Sequence, residues 1–197
     1  DAAGKKRLEE LDVELTRTTT KFAENVLDST NEYELILSEE SQLAGLPESA
    51  RAAARASAEA KGKAGWRFTL QGPSYLALMT YLDDRDIRRQ VWRAYNLRAT
   101  SGERDNRPLI GRILDLRHQK ATLLGFPDFS GLVLEDRMAH DGQKAEEFLN
   151  GLTAKTEARF EVENRELREF AGMDLEPWDI GYWAEKLRQK LYDFDEE

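Results

Sequence analysis

Apolar residues recur at steps of three and four along most of the chain, which is the pattern of amphipathic helices. The first such segment spans residues 5–28, and its apolar stripe is Leu8, Leu11, Leu15, Phe22 and Val26. The same pattern predicts helices over residues 49–61, 74–82, 84–99, 109–124 and 143–171. Two more are predicted, one from Asp128 toward Met138 and one from Glu176 to about Tyr192, with glycines and prolines at the breaks.

Three of these helices carry apolar stripes that predict the core. Over 84–99 the stripe is Ile87, Val91, Ala94 and Tyr95, and over 109–124 it is Ile113, Leu116, Lys120 and Leu124, interrupted by that lysine. Over 143–171 it is Ala145, Leu149, Leu152, Thr156, Phe160, Glu163, Leu167 and Phe170, with Asp141 as the predicted N-cap. Because a tryptophan usually buries a large area, core or interface positions are predicted for Trp66, Trp92, Trp178 and Trp183.

Two short segments read as extended chain rather than helix. They are residues 33–37, which are apolar, and residues 66–70, which alternate large and polar side chains. The predicted fold class is therefore mainly α, a multi-helix array with at most a small two-stranded element at about 33–37 and 66–70. Connections are short and no linker divides the chain, so residues 1–197 are predicted to form a single helical region.

Charge and composition narrow the possible partners. The formal net charge is −9 and the pI is about 5.0, which opposes binding to nucleic acid or to an anionic membrane. No apolar run approaches the roughly 18 residues of a membrane-spanning helix. The chain has no cysteine, which excludes disulfides and thiolate chemistry and suits the cytoplasm, the predicted location.

The two histidines are the first candidates for metal chemistry. His118 follows Asp115 by three residues on a predicted helix, and His140 lies beside a predicted helix end. A zinc site needs three or four converging ligands, so both are interpreted as structural or surface residues, and a helical metal-carboxylate enzyme built on Asp115 and His118 is the weakest alternative. His-Glu-x-x-His, Gly-x-Ser-x-Gly and phosphate-loop motifs do not occur. No catalytic residue or metal ligand is predicted in this chain, and the substrate-binding residues stay unknown.

Several blocks of sequence carry a family likeness. They are residues 43–49, 73–79, 88–99, 113–117, 121–126, 135–139 and the segment Pro177-Trp-Asp-Ile-Gly-Tyr-Trp183. Their order and spacing resemble the M3 family of zinc oligopeptidases, in particular its oligopeptidase A branch. One departure is Trp183, where the family often has tyrosine. Residues 177–183 are called the signature segment below.

The resemblance implies a mostly helical protein whose two halves enclose a channel, in which zinc-activated water cleaves short peptides. Two histidines and a glutamate would hold the zinc, and none of those positions exists here. The chain is therefore expected to be an internal, non-catalytic channel-wall part, inactive and without cofactor by itself. Its expected partners are short peptides and the missing catalytic half of the same protein. The alternative is a stand-alone helical module that binds peptides or proteins.

Six residues are assigned a structural family role, not a catalytic one: Pro177, Trp178, Asp179, Tyr182, Arg98 and Gly125. Pro177 is expected near a helix start, where a missing N–H costs nothing. Asp179 is expected in the first turn, where a carboxylate complements the positive end of the helix dipole. Trp178 is expected to pin that helix to its neighbours.

Overall fold

The computed structural model describes residues 1–192 of the 197 and confirms a mainly α protein. Its eight α-helices within that range are α1 (Ala2–Glu32), α2 (Glu48–Glu59), α3 (Gly72–Tyr81), α4 (Arg85–Asn96), α5 (Arg107–Leu123), α6 (Phe129–Leu134), α7 (Gly142–Ala171) and α8 (Ile180–Tyr192). Short 3-10 turns lie at Glu40–Leu43 and Gly102–Arg104. None of these helices is long and apolar enough to cross a membrane.

The two predicted extended pieces pair with each other. Strand β1 (Leu35–Leu37) and strand β2 (Trp66–Phe68) form an antiparallel two-stranded sheet, with Ile36 opposite Arg67. Both strands are shorter than the predicted segments. Leu37 and Phe68 are buried, so the sheet is held by the core on one face.

Several helix boundaries differ from the prediction: α8 begins at Ile180 instead of Glu176, because residues 177–179 form a turn, and α4 ends at Asn96 instead of Ala99. Helix α1 is longer at both ends than residues 5–28, and α6 stops at Leu134 instead of running toward Met138. Turns follow α6, and His140 takes a left-handed conformation with φ of 65°, which no α-helix can contain. Asp141 caps α7 as predicted, since its carboxylate accepts a hydrogen bond from Lys144 N at 2.8 Å.

The residues fall into two compact units. The first contains residues 1–26 and 99–161. Polar contacts join α1 to α5 there, including the ion pair of Asp12 with Lys120 at 2.6 Å. That pair explains how a lysine interrupts the buried stripe of α5, where Ile113 and Leu116 are buried as predicted, whereas Leu124 is 41% exposed.

The second unit contains residues 27–98 and 162–197, of which 162–192 are described. Its core draws on both strands and on α2, α3 and α4, and consists of Leu37, Leu43, Leu46, Ala54, Phe68, Leu70, Leu78, Leu82, Ile87 and Val91. The predicted stripe of α4 is confirmed by this set, with Ala94 and Tyr95 packed against it. All four tryptophans are in this unit and are partly buried.

One turn in the second unit depends on a glycine. Gly45 has φ of +86°, and a Cβ built on it would lie 2.2 Å from the carbonyl oxygen of Tyr81. The two segments are held together there, because Asp83 N donates to Ala44 O at 2.9 Å. Only a residue without a side chain fits such a close backbone approach.

The predicted core stripe of α7 is wrong over most of its length. Leu167 is buried, but Leu149, Leu152 and Phe160 have 61%, 44% and 65% of their surface exposed. Phe148, on the same side, is 66% exposed. Periodicity identifies the apolar face of a helix, but burial also needs another element to cover that face.

Candidate functional site

The signature segment forms a turn followed by the first residues of α8. Asp179 N donates to Glu176 O at 2.8 Å, which closes the turn, and Asp179 O accepts from Trp183 N at 2.9 Å. Asp179 therefore occupies the N-cap position just before α8, so its predicted place in the first turn is wrong by one step. Its carbonyl accepts the first helical bond, as an N-cap carbonyl does, while its carboxylate folds back to accept from Glu176 N at 3.1 Å.

The carboxylate of Asp179 is fully buried and faces two arginines of α4. Arg85 donates from Nε to Oδ1 at 3.0 Å and from Nη2 to Oδ2 at 2.7 Å, while Arg88 donates from Nη2 to Oδ1 at 2.9 Å. The exposed fraction is 0% for the Asp179 side chain, 2% for Arg88 and 46% for Arg85. A buried carboxylate is tolerated only with such partners, so these residues fix α8 against α4.

The guanidinium of Arg88 also binds three main-chain carbonyls. Nε donates to Trp178 O at 3.1 Å, and Nη1 donates to Leu82 O at 2.7 Å and Asp83 O at 3.0 Å. The Cζ atom of Arg88 lies 4.1 Å from the ring centroid of Tyr182, a cation–π contact. One side chain therefore ties together the α3–α4 turn, α4, the signature turn and α8.

Two pKa shifts follow from this packing. Burial alone would raise the pKa of Asp179, but hydrogen bonds from Arg85, Glu176 N and Arg88 outweigh it, and the pKa is lowered. The pKa of Tyr182 is raised to about 12, mainly by burial and also by its hydrogen bond to Asp83. Tyr182 Oη donates to Asp83 Oδ1 at 2.8 Å, so its proton stays in place at neutral pH.

The lowered pKa of Asp179 gives a pH prediction. A carboxylate with a depressed folded pKa contributes stability that is complete above its unfolded pKa, about 3.9, and is lost as the pH falls through the folded value. We expect the free energy of unfolding of the wild type to exceed that of Asp179→Asn most above about pH 5, with the difference narrowing toward pH 3. Urea unfolding at several pH values checks this. A difference that stays constant with pH would contradict it.

Of the other assigned residues, Pro177 and Trp178 belong to the signature segment, whereas Arg98 and Gly125 lie outside it. Pro177 is exposed at the start of the signature turn, and the Trp178 ring meets Trp92 edge-on at 5.6 Å between centroids. Arg98 is not part of the Asp179 cluster: it stacks on Tyr95 at 3.6 Å and donates to Thr30 Oγ1 at 2.9 Å.

Gly125 belongs to the first compact unit and ends α5. Its φ is +85°, Gly125 N donates to Thr122 O at 3.1 Å, and Phe126 N donates to Ala121 O at 2.9 Å. That pair of bonds is the Schellman motif, which favours glycine at this position. The structure thus gives Gly125 a local role in helix termination.

Sequence reasoning missed three partners of the signature segment: Asp83, Arg85 and Arg88. One signal could have indicated Arg88. It lies three residues before Val91 and seven before Tyr95, hence on the apolar side of α4, where an unpaired charge would be costly. Asp83 and Arg85 lie on polar surface positions and carry no such signal.

A groove of about 900 Å³ opens on the second unit between α2, β2, α3 and α8. Small side chains of α2 line one side, and Leu76 of α3, 61% exposed, lines another. Its charged members are paired: Arg188 donates to both carboxylate oxygens of Glu185 at 2.8 and 2.9 Å, and Arg67 donates to Glu34 Oε2 at 3.0 Å. Its shape and apolar lining suit an extended peptide or a packing helix.

The residues that the structure describes do not fit a zinc ion. His118 is exposed on α5, and the carboxylate of Asp115 accepts from Arg112 and Gln119 at 2.6 and 2.9 Å. His140 is exposed in a turn, with Nδ1 3.5 Å from Glu135 O. Within residues 1–192 no three His, Asp or Glu side chains lie close enough to share a metal, so a tetrahedral zinc site has too few ligands there.

Comparison with known proteins gives a consistent result. The sequence profile of peptidase family M3 matches residues 78–197. Oligopeptidase A of Haemophilus influenzae is 41% identical over 97% of this chain and 30% of its own length, and that of Escherichia coli is 40% identical over the same shares. The probable cytosolic oligopeptidase A of Arabidopsis thaliana is 35% identical over 95% of this chain and 28% of its own length.

Each of these relatives is much longer than the segment of it that matches this chain. The chain spans about 30% of the length of the bacterial oligopeptidases A. The profile match includes the whole signature segment and the two arginines that bind Asp179. Since the matched residues make up more than half of the chain, it belongs to peptidase family M3.

Proposed function

We propose that this chain forms a helical, non-catalytic part of the channel wall in a zinc-dependent oligopeptidase that hydrolyses short peptides. The observation that carries the proposal is the alignment of 97% of the chain with oligopeptidase A at about 40% identity. The groove on the second unit supports it, because a channel wall needs a concave surface of this kind.

The chemistry of the proposed enzyme would come from residues outside this segment. The two histidines are exposed and the nearby carboxylate of Asp115 is already engaged, so we propose that zinc binds elsewhere in the complete protein. The role of these 197 residues is then to hold helices in place around the peptide, and we keep the interpretation that they act as one helical region. One relative is named cytosolic, and we extend that location to this protein as a prediction.

A hybrid enzyme tests the proposal. In it, the matching segment of Escherichia coli oligopeptidase A is replaced by these 197 residues. We expect the hybrid to cleave a quenched fluorescent peptide and to lose this activity with a chelator. We expect the 197-residue chain alone to bind less than one zinc per molecule and to cleave nothing.

Two outcomes would contradict the proposal. One is stoichiometric zinc with peptide turnover in the isolated chain. The other is a folded, zinc-loaded hybrid that has no peptidase activity. Tight binding of peptide by the isolated chain, together with an inactive hybrid, would favour the stand-alone binding module instead.

A further inference from the structure

Helix α7 presents an apolar face to solvent in the first compact unit. Phe148, Leu149 and Leu152 are 66%, 61% and 44% exposed, and their spacing of one, three and four residues places them on one side of the helix. These three residues are called the α7 face below. Large apolar side chains scattered singly on a surface are common, but three together on one helix face indicate a contact surface.

The same side of α7 shows what such a face packs against. Continuing the helical period from Leu149 leads to Leu167 and Phe170, both in the second unit. Leu167 is 8% exposed, and the Phe170 ring meets Trp183 of α8 edge-on at 5.9 Å between centroids. The last turns of the stripe are thus covered by a helix, which makes it a helix-packing stripe over the part that has a neighbour.

The charge of the chain and the length of its relatives indicate what covers the α7 face. A second copy would bring together two chains of net charge −9, which repel each other. The bacterial oligopeptidases A have about 30% of their length in the matching segment, so 100 − 30 = 70% of each polypeptide lies outside it. That larger part of the polypeptide is long enough to supply a helix that covers the α7 face.

We propose that the α7 face is covered by a helix from the part of the M3 polypeptide that lies outside residues 1–197. This proposal rests on the proposed function, because it requires these residues to fold together with the remainder of an M3 enzyme. The contact extends the stripe that α8 already covers at Leu167 and Phe170, and it withdraws Phe148, Leu149 and Leu152 from water.

Thiol labelling tests burial directly, because this chain has no cysteine of its own. Leu149→Cys and Leu152→Cys report on the α7 face, and Asn150→Cys, on the opposite side of α7, is the matched control. Each variant is made in the isolated chain and in the hybrid with Escherichia coli oligopeptidase A, and the labelling of the unmodified hybrid is subtracted. The probe is a maleimide dye.

We expect the labelling rate at the two face positions to be lower in the hybrid than in the isolated chain by a factor of about ten or more. The reason is that a covered thiol reacts only when the covering helix opens. The control should label equally fast in both. Equal rates at the face positions in a hybrid that still cleaves peptide would overturn this inference and leave the proposed function intact. Protection in the isolated chain that grows with its concentration would also overturn it, in favour of a second copy.

A second measurement uses the isolated chain alone. The double variant Leu149→Gln/Leu152→Gln should unfold at the same urea concentration as the wild type, because these side chains are already exposed there. A clear fall in the midpoint would mean that the face packs within this chain, and that result would overturn the proposal even if no hybrid could be purified.

Discussion

We expect Asp179→Ala to lower the free energy of unfolding of the second unit by about 3–5 kcal/mol, because it leaves the guanidinium of Arg88 buried without its counter-charge. Arg88 is 2% exposed, so water cannot replace the lost carboxylate without opening the structure. The three carbonyls that Arg88 also binds remain, but they carry no net charge. The variant is therefore expected to loosen α8 and the signature turn first.

Urea unfolding followed by tryptophan fluorescence measures this effect. All four tryptophans lie in the second unit, so the signal reports on that unit and not on the first. The matched control is Glu59→Ala, which removes a carboxylate of the second unit that is 66% exposed and pairs only at the surface with Arg55, and it should leave the midpoint nearly unchanged. An Asp179→Ala midpoint equal to that of the control would show that the buried cluster contributes little.

A double variant separates the ion pair from the packing around it. If the damage in Asp179→Ala comes from a stranded cation, adding Arg88→Met should restore part of the lost stability, because methionine removes the charge and keeps much of the volume. A further loss of stability in the double variant would instead mean that Arg88 matters mainly through its carbonyl contacts and its stacking on Tyr182.

The second large effect is expected for Gly45→Ala, at about 2–5 kcal/mol. A left-handed conformation costs an alanine about 1–2 kcal/mol, and overpacking typically adds about 1–3 kcal/mol. At this position the added Cβ would lie 2.2 Å from Tyr81 O and 2.5 Å from Asp83 Oδ1. The turn must move away from α3, which also disturbs the hydrogen bond from Asp83 N to Ala44 O.

Gly62→Ala is the matched control for this variant. Gly62 also has positive φ, +64°, but an added Cβ there meets nothing within 4 Å. It should show only the conformational cost of about 1–2 kcal/mol. Thermal and urea unfolding of both variants give the comparison. Equal losses would mean that the close approach to Tyr81 relaxes freely and that Gly45 is needed only for its backbone angle.

Asp179→Ala and Gly45→Ala both act on the surroundings of the signature segment. Asp83 links them, since its main chain binds Ala44 and Arg88 while its side chain accepts from Tyr182. Damage at Gly45 should therefore reach Tyr182 through Asp83. In the proposed oligopeptidase, the segment would then act by fixing the position of α8 and one side of the groove, and not by touching the scissile bond.

The sequence predicted the helices well where a stripe and its end signals agreed. Helix α4 has Asp84 as N-cap, with its carboxylate accepting from Asp86 N and Ile87 N at 3.0 Å, and its stripe is buried at Ile87 and Val91. The Schellman turn at Gly125 and the cap at Asp141 are equally local. Such features need only neighbouring residues, so the sequence contains them in full.

The candidate site was predicted only in part. Residues 177–183 were singled out, but the arginines that neutralise Asp179 lie 94 and 91 positions away in sequence. Nothing local to Arg85 or Asp179 identifies the other as its partner. The prediction placed Asp179 one residue too far into α8, and it missed the stronger interaction, a buried carboxylate shared by two guanidinium groups.

By itself, the sequence determined the helical class, the two short strands and the family, because periodicity, turn residues and motif order are properties of neighbouring positions. Only the tertiary structure decided which apolar faces are covered, as the contrast between Leu149 and Leu167 on one stripe shows. It also decided which charges are buried together, since Arg88 and Asp179 meet only when α4 and α8 pack. Burial is a relation between two surfaces, and one segment of sequence specifies just one of them.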